Sequence, residues 1–389
     1  MSLEMEPDTV FISSAVTFSN ETGTNITTLT SPEQMPPMMP PQPPTDPLLE
    51  FKKYALIITN IIGILGNFLV FYVFTRTKLK RPSTSRYLAA TAIADSGYLM
   101  TVMLVSMTQH NNMRIQNRVG MCQLVQFGQH AFPFLIRWYL TAVVVDKYIG
   151  VMWPRKKSKM CTVFRAKCVI ISLAIMAIVC YLYVTWFFVS YDIEPPVCSI
   201  NWADKRVKDS WTILTRMDAI VNFVFPYIIM FSLTCLIAYR SWQYHQHSMS
   251  AGERFLRRRR VTTPEDKEFK TTPLLILLVS FSLLLCIPNS TSRLRELSSS
   301  DFRPQITETT LMINGLFFYF EVLNSAIRIF IYILASNSFT RQLGKILFCT
   351  HRCKKKKSDN RELQSCHQTS IDGNTSNVKT VGTSTEGIV

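Results

Sequence analysis

The sequence predicts an all-α membrane protein, a seven-transmembrane-helix bundle, and three observations lead there. Hydrophobic residues make up 48% of the 389 and charged ones only 17%, against roughly 25% charged in a soluble domain. The deficit is concentrated in seven blocks of about 20 mostly apolar residues, the length that crosses a hydrocarbon core of about 30 Å. The polar stretches between these blocks alternate in basic content, as they do in a chain threading back and forth through a bilayer. A soluble multidomain enzyme does not fit this composition. The net charge of +16 would raise nucleic acid as a partner of a soluble protein. Here it sits in short loops, where anionic membrane lipids and the acidic face of a cytosolic partner are the expected counter-charges, and no nucleic acid is expected.

Taken in order, residues 1–51 contain no Lys, Arg or His, include nine prolines, and hold the sequons Asn20-Glu21-Thr22 and Asn25-Ile26-Thr27. This composition predicts a disordered extracellular arm glycosylated at Asn20 and Asn25. The basic start and apolar core of a cleavable signal peptide are missing, so the first span is expected to act as the insertion signal. Residues 52–335 hold the bundle, with spans near Tyr54–Thr75, Tyr87–Met107, Val119–Trp153, Ala166–Val189, Trp211–Trp242, Thr272–Thr291 and Thr309–Leu334. The loops after spans one, three and five carry 5, 6 and 8 basic residues, and those after spans two, four and six carry 2, 3 and 3. The positive-inside bias makes the first set cytoplasmic. A multi-pass plasma-membrane protein follows, with its N-terminus extracellular and its C-terminus cytoplasmic. Residues 336–353 hold a short amphipathic stretch, Ser338–Phe348, then Cys349 and Cys353, just before the run Lys354–Lys357. Palmitoylation of both cysteines beside a polybasic patch would be a two-signal anchor to the inner leaflet; unmodified thiols beside a solvated charge run are the other reading. Residues 354–389 are polar and predict a disordered cytoplasmic tail. No internal repeat is visible, which argues against an inverted-repeat transporter.

Of the ten cysteines, only Cys122 and Cys198 fall at predicted extracellular positions, where the oxidising compartment permits a disulfide. It would tie the loop after span four across the bundle mouth. Cys161, Cys168, Cys180, Cys235 and Cys286 read as small hydrophobic residues in or near the spans. Chemistry is otherwise absent: there is no Gly-rich phosphate loop, His-Glu-x-x-His, Cys-x-x-Cys or nucleophile elbow. Neither catalysis nor a cofactor or metal is expected.

Local motifs now join the seven spans and the cysteine pair: Gly66-Asn67 in span one, Leu88-Ala89 through Ala94-Asp95 in span two, and Cys122 followed by Asp146-Lys147-Tyr148 and Pro154. Pro226, Pro288 and Leu323-Asn324-Ser325-Ala326 leading to Tyr332 continue the order. From about Tyr54 to Cys353 the chain resembles a rhodopsin-like (class A) G protein-coupled receptor, of the kind that binds neuropeptides. The resemblance implies a short amphipathic eighth helix from Phe339 and Arg341, an extracellular peptide ligand, and coupling to a heterotrimeric G protein and arrestin through Asp146, Lys147, Tyr148 and Tyr332. The departures fall at switch positions. The family's Asp-Arg-Tyr is Asp-Lys-Tyr here, its Cys-Trp-x-Pro is Leu285-Cys286-Ile287-Pro288, and its Asn-Pro-x-x-Tyr is Arg328-Ile329-Phe330-Ile331-Tyr332. A receptor of the same fold with arrestin-biased, scavenging or no G-protein coupling is therefore the alternative function.

Ionisable groups at membrane depth are costly and point to function unless paired; here they are Asp95, Arg137, Asp146, Asp218, Glu321 and Arg328. Glu321 and Arg328 lie two turns apart on one face, and Glu321 either lines a ligand cavity or pairs with Arg137. Gln126, Gln129 and His130 share a face at i, i+3, i+4 spacing, as ligand contacts or as interhelical hydrogen bonds. Amine receptors of the family carry an Asp seven residues after the span-three cysteine, and here Gln129 stands there, which disfavours an amine. Opsins carry a span-seven lysine where this chain has Val322, so light sensing is not expected. The candidate peptide site is Gln126, Gln129, His130, Asp218, Arg293 and Glu321. In the family, the span-two Asp and a span-seven Asn face a cavity that can hold sodium. Arg328 occupies that Asn position, which predicts a buried ion pair with Asp95, the alternative being an Arg328 that snorkels to the cytoplasmic water.

Overall fold

The computed structural model describes residues 47–80, 82–110, 118–191, 197–201, 204–250, 264–298 and 308–348. Asn20, Asn25, Cys349 and Cys353 lie outside the described residues. Long helices account for the architecture: α1 Pro47–Arg76, α2 Ser83–His110, α3 Met121–Met152, α5 Val163–Tyr181, α7 Lys205–Ala219 continuing through a π-helical turn Ile220–Val224 into α8 Phe225–Ser250, α9 Pro264–Ser298 and α10 Glu308–Ala335. Two short helices, α4 Pro154–Met160 and α6 Val184–Phe187, interrupt the series, and α11 Asn337–Phe348 follows it. The chain divides into two compact units, Met1–Phe339 and Thr340–Val389. The bundle belongs to the first.

Six of these helical runs are long and apolar enough to cross a membrane. Helix α3 is not among them, although its 32 residues reach about 48 Å at 1.5 Å per residue. Its place explains its polarity. Twenty of the 32 are buried, and it packs against α2, α5, α8 and α9, so its Gln, His, Arg and Lys side chains meet other helices rather than lipid. Helix α5 is the opposite case: only Ala166, Ala177 and Tyr181 are buried, and beyond Arg165 and Lys167 near its start its remaining surface is mostly apolar.

Where span four was expected to run to Val189, the helices stop at Phe187 and Phe188–Tyr191 pairs antiparallel with Val197–Ile200, forming β1 and β2. The run Phe188-Val189-Ser190-Tyr191 has the β-branched and aromatic content that favours a strand once a partner is supplied. The partner is held by the Cys122–Cys198 disulfide, with Cα atoms 5.6 Å apart, inside the ordinary range for a bridge. Gly120 starts α3 with φ 84°, a left-handed conformation costly for any residue with a Cβ. Its N–H donates to Gln123 Oε1 at 2.8 Å, while Gln123 Nε2 donates to the Phe188 carbonyl at 3.2 Å. Helix start, hairpin and disulfide are thus one assembly.

On the other side of the bundle α1 packs on α2 and α10. A Cβ on Gly63 would lie 2.6 Å from Leu99 Cδ1 and 2.8 Å from Ala326 Cβ, so only glycine permits this approach. Asn67 Nδ2 donates to the Ser325 carbonyl at 2.9 Å, closing α1 onto α10.

Candidate functional site

A buried stripe runs along α3. Gln126, Gln129, Pro133, Arg137 and Leu140 recur at three- and four-residue spacing, and every one is buried. At its centre Arg137 reaches three other elements. Its Nη2 donates to Glu321 Oε1 of α10 at 2.6 Å, its Nη1 to Asn222 Oδ1 of the π-helical turn at 3.0 Å, and its Nε to Tyr227 Oη of α8 at 3.3 Å. Its guanidinium carbon lies 4.3 Å from the Phe223 ring centroid, a cation–π contact. Glu321 uses its second oxygen to accept from Asn289 of α9. One arginine and one carboxylate therefore connect α3, α8, α9 and α10.

Asn222 reaches this hub because of Pro226. Proline has no N–H to give the carbonyl four residues back, here Asn222, and the helix absorbs the loss in the π-helical turn Ile220–Val224. Such turns concentrate at functional positions. In this one both Asn222 and Phe223 are buried. Asn222, Phe223, Tyr227 and Asn289 were not among the residues singled out in the sequence; the signal available was an Asn four before Pro226 and another directly after Pro288.

A second buried pair lies deeper. Arg328 Nη1 donates to Asp95 Oδ2 at 2.5 Å, with side chains 2% and 0% exposed. At this burial Arg328 does not reach solvent. A cavity of about 20 Å³ borders Arg137, Glu321, Arg328, Ser282 and Asn324, room for about one water molecule. Among the described residues Arg328 Nε and Nη2, Ser282 Oγ and Asn324 Oδ1 have no hydrogen-bond partner. The two ion pairs together carry no net charge, which suits burial.

Toward the disulfide end, Gln126 and Gln129 are buried, and among the described residues the Gln129 amide oxygen and nitrogen and Gln126 Oε1 are without hydrogen-bond partners. His130 Nδ1 lies 2.8 Å from the Gln126 carbonyl. Its ring stands 6.0 Å from Trp211 and 6.1 Å from Tyr181. Asp218 of α7 accepts from the Tyr181 hydroxyl. The expected peptide-site residues therefore fall into three groups: a glutamine stripe on α3, an Asp218–Tyr181 contact among aromatic rings, and Glu321 held by Arg137 and Asn289. Arg293 lies in α9, and its side chain is outside the described residues.

At the opposite end, Asp146 accepts from Ser83 Oγ at 2.7 Å and Thr84 Oγ1 at 2.5 Å, tying α3 to the start of α2. Lys147 Nζ donates to Thr271 Oγ1 at 2.5 Å, tying α3 to α9. Tyr148 meets Trp153 edge-on at 5.7 Å. Tyr332 is buried between Phe74 at 5.4 Å and Phe339 at 5.4 Å. A groove of about 470 Å³ opens at the C-terminal end of α3, lined by Val151, Met152, Pro154, Arg240, Tyr244 and Phe269 among others.

A family model described as 7 transmembrane receptor (rhodopsin family) matches residues 66–358. The chain is similar to the thyrotropin-releasing hormone receptor of Homo sapiens, 29% identical over 198 residues that make up 49% of each chain. It is 24% identical to the pyroglutamylated RF-amide peptide receptor of Mus musculus, over 46% of this chain and 43% of that one. With the growth hormone secretagogue receptor type 1 of Mustela putorius furo it shares 24% identity over 77% of this chain and 81% of that one. The chain spans about half the length of the thyrotropin-releasing hormone receptors it matches. With six helical runs among the described residues long and apolar enough to cross a membrane, a seventh long helix, α3, packed among them, and a family match covering most of its residues, this chain belongs to the rhodopsin family of seven-transmembrane receptors.

Proposed function

We propose that the chain is a plasma-membrane receptor for an extracellular neuropeptide and that it activates a heterotrimeric G protein. The family match over residues 66–358 carries this reading. The names of three similar receptors, which refer to thyrotropin-releasing hormone, an RF-amide peptide and a growth hormone secretagogue, support a peptide ligand. The peptide would enter at the disulfide end, which the basic-loop pattern makes extracellular, together with a glycosylated amino-terminal arm. Gln126 and Gln129 offer uncharged donors and acceptors suited to a peptide backbone. Beneath them the Arg137–Glu321 hub would transmit the peptide's presence, because it binds α3 to the three helices that would have to move. A ligand shifts such an equilibrium only as far as it binds one arrangement better than the other.

The opposite end would face the cytosol. There the groove at the C-terminal end of α3 would receive the G protein or arrestin, with α11 on the inner leaflet and Cys349 and Cys353 palmitoylated. A second reading has a specific motive: Lys147 donates to Thr271, and a lysine offers a point charge where arginine offers a planar fork of donors. A receptor that recruits arrestin or clears peptide without G-protein coupling would fit that substitution. The test is G-protein dissociation in cells expressing the chain and exposed to a library of synthetic neuropeptides. A peptide that dissociates the G protein supports the first reading; one that is bound and internalised without doing so favours the second.

A further inference from the structure

Asp218 differs from the other membrane-depth carboxylates. Asp95 has Arg328, Glu321 has Arg137 and Asn289, and Asp146 has two hydroxyls. Asp218 sits half-buried in the membrane-spanning run Lys205–Gln246, and among the described residues it has no cationic partner. Its hydrogen bond comes from Tyr181 and engages Oδ1 alone. A carboxylate in that setting is costly unless it is compensated. Lys208 lies ten residues up the helix, about 15 Å away along the axis and beyond a screening length of about 8 Å. Arg216 is exposed and, two residues away, projects from the far side of the helix.

The surroundings of Asp218 are aromatic. Tyr183 stands 6.4 Å from Tyr181 and 6.0 Å from Trp211, ring to ring, and the His130 ring completes the group. The Tyr183 hydroxyl is buried without a hydrogen-bond partner among the described residues. A carboxylate held by a tyrosine at the edge of an aromatic cluster is complementary to a guanidinium or ammonium group, which gains both an ion pair and cation–π attraction.

A separate observation has the same sign. The first 51 residues carry seven acidic residues and no basic one, in a chain of net charge +16. Each crossing reverses the chain, so α1 and α3 begin at the same end, the end bearing Cys122. An acidic arm there raises the local concentration and association rate of a cationic ligand.

Resting on the peptide-receptor reading above, we infer that the activating peptide is cationic and that Asp218 receives its guanidinium or ammonium group. The sequence pointed away from amines because Gln129 stands where amine receptors carry their Asp; the structure assigns the cation-binding role to a carboxylate on α7 instead.

The experiment uses intact cells expressing the full chain and synthetic peptide pools of equal length, sorted as basic, neutral or acidic, with G-protein dissociation and arrestin recruitment both recorded. Activating peptides are expected from the basic pool. For the best of them, Asp218→Asn should raise the half-maximal concentration about 30-fold or more, at matched surface expression. Asp209→Asn, an exposed acid on the same helix, should leave it unchanged. Replacing the peptide's critical arginine by citrulline should cost the parent receptor a similar factor and cost the Asp218→Asn receptor little more. Tyr181→Phe guards against misfolding, since it removes the internal hydrogen bond and keeps the charge, so it should retain potency. Activation by a neutral or acidic peptide, or a basic peptide indifferent to Asp218→Asn, overturns the inference while leaving the receptor reading in place. Silence in all pools by both readouts overturns the receptor reading and the inference with it.

Discussion

Changing Glu321 to glutamine removes the one negative charge at the Arg137 hub while keeping the shape of the side chain. In the parent, Glu321 is 6% exposed, and its two oxygens accept from Arg137 at 2.6 Å and from Asn289. After the change Arg137 still has Asn222, Tyr227 and the Phe223 ring, but all three are neutral. Removing one partner of a buried ion pair costs about 3–5 kcal/mol, because the other charge is left uncompensated. The glutamine oxygen can still accept one hydrogen bond, which places the expected loss near the lower end, about 3 kcal/mol. Against a total stability on the order of 5–15 kcal/mol, that is enough to lower surface expression sharply. The paired replacement Arg137→Met with Glu321→Leu removes both charges and should restore most of the loss, since apolar substitutes for a whole buried pair are often neutral or stabilising. The assay is reversible unfolding of the purified receptor in a detergent mixture for the parent, for Glu321→Gln, and for Arg137→Met, Glu321→Leu and their double, the last three closing a double-mutant cycle with the parent. A loss under about 1 kcal/mol for Glu321→Gln, or a coupling near zero, would refute the claim that the hub is one electrostatic unit.

Three further outcomes are expected. Asp95→Arg and Arg328→Asp should each abolish surface expression or signalling by placing like charges together, whereas the double swap should recover a measurable part, and a double variant no better than the worse single would refute the pair. Cys122→Ser should release the β1–β2 hairpin from α3 and cost up to about 2–5 kcal/mol by analogy with small secreted domains, seen as lost ligand binding at the surface; binding equal to the parent's would show the bridge to be dispensable. Lys147→Arg should raise G-protein efficacy by offering a fork of donors in place of one ammonium, measured as maximal dissociation at equal expression; a fall would mean that the Thr271 contact is tuned to lysine.

Six of the helical runs were legible in the sequence because membrane crossing is a property of composition over a window of about 20 residues; α3 has the length, but its polar content is accounted for only by its burial among the other helices. The Cys122–Cys198 disulfide was legible for a similar reason: compartment assignment left one pair on the oxidising side. The end of span four was not. Phe188–Tyr191 is apolar enough to continue a helix, and it becomes a strand only because Val197–Ile200 lies beside it, held by a bridge to a residue 76 positions away from Cys198.

The candidate site divides along the same line. That Asp95, Arg137, Glu321 and Arg328 needed partners followed from the cost of burying charge, which each residue carries wherever its helix turns. Which partner each takes depends on helix rotation and separation. Arg137 and Glu321 are 184 residues apart and Asp95 and Arg328 are 233 apart, so no local spacing ranks one pairing over another. Asn222 joins the hub only because the π-helical turn before Pro226 reorients one residue inward. Asn289 joins because α9 packs on α10. Asp218 shows the same limit from the other side: its sequence neighbours include Arg216, yet helix geometry sends that cation away and brings Tyr181 from α5 instead. Composition determined that the chain crosses the membrane and which side chains are costly there, because transfer free energy adds up residue by residue. Only tertiary packing decided which of those costs are met inside the bundle, because a pair of charges gains its energy over a few ångströms that the order of residues along the chain does not specify.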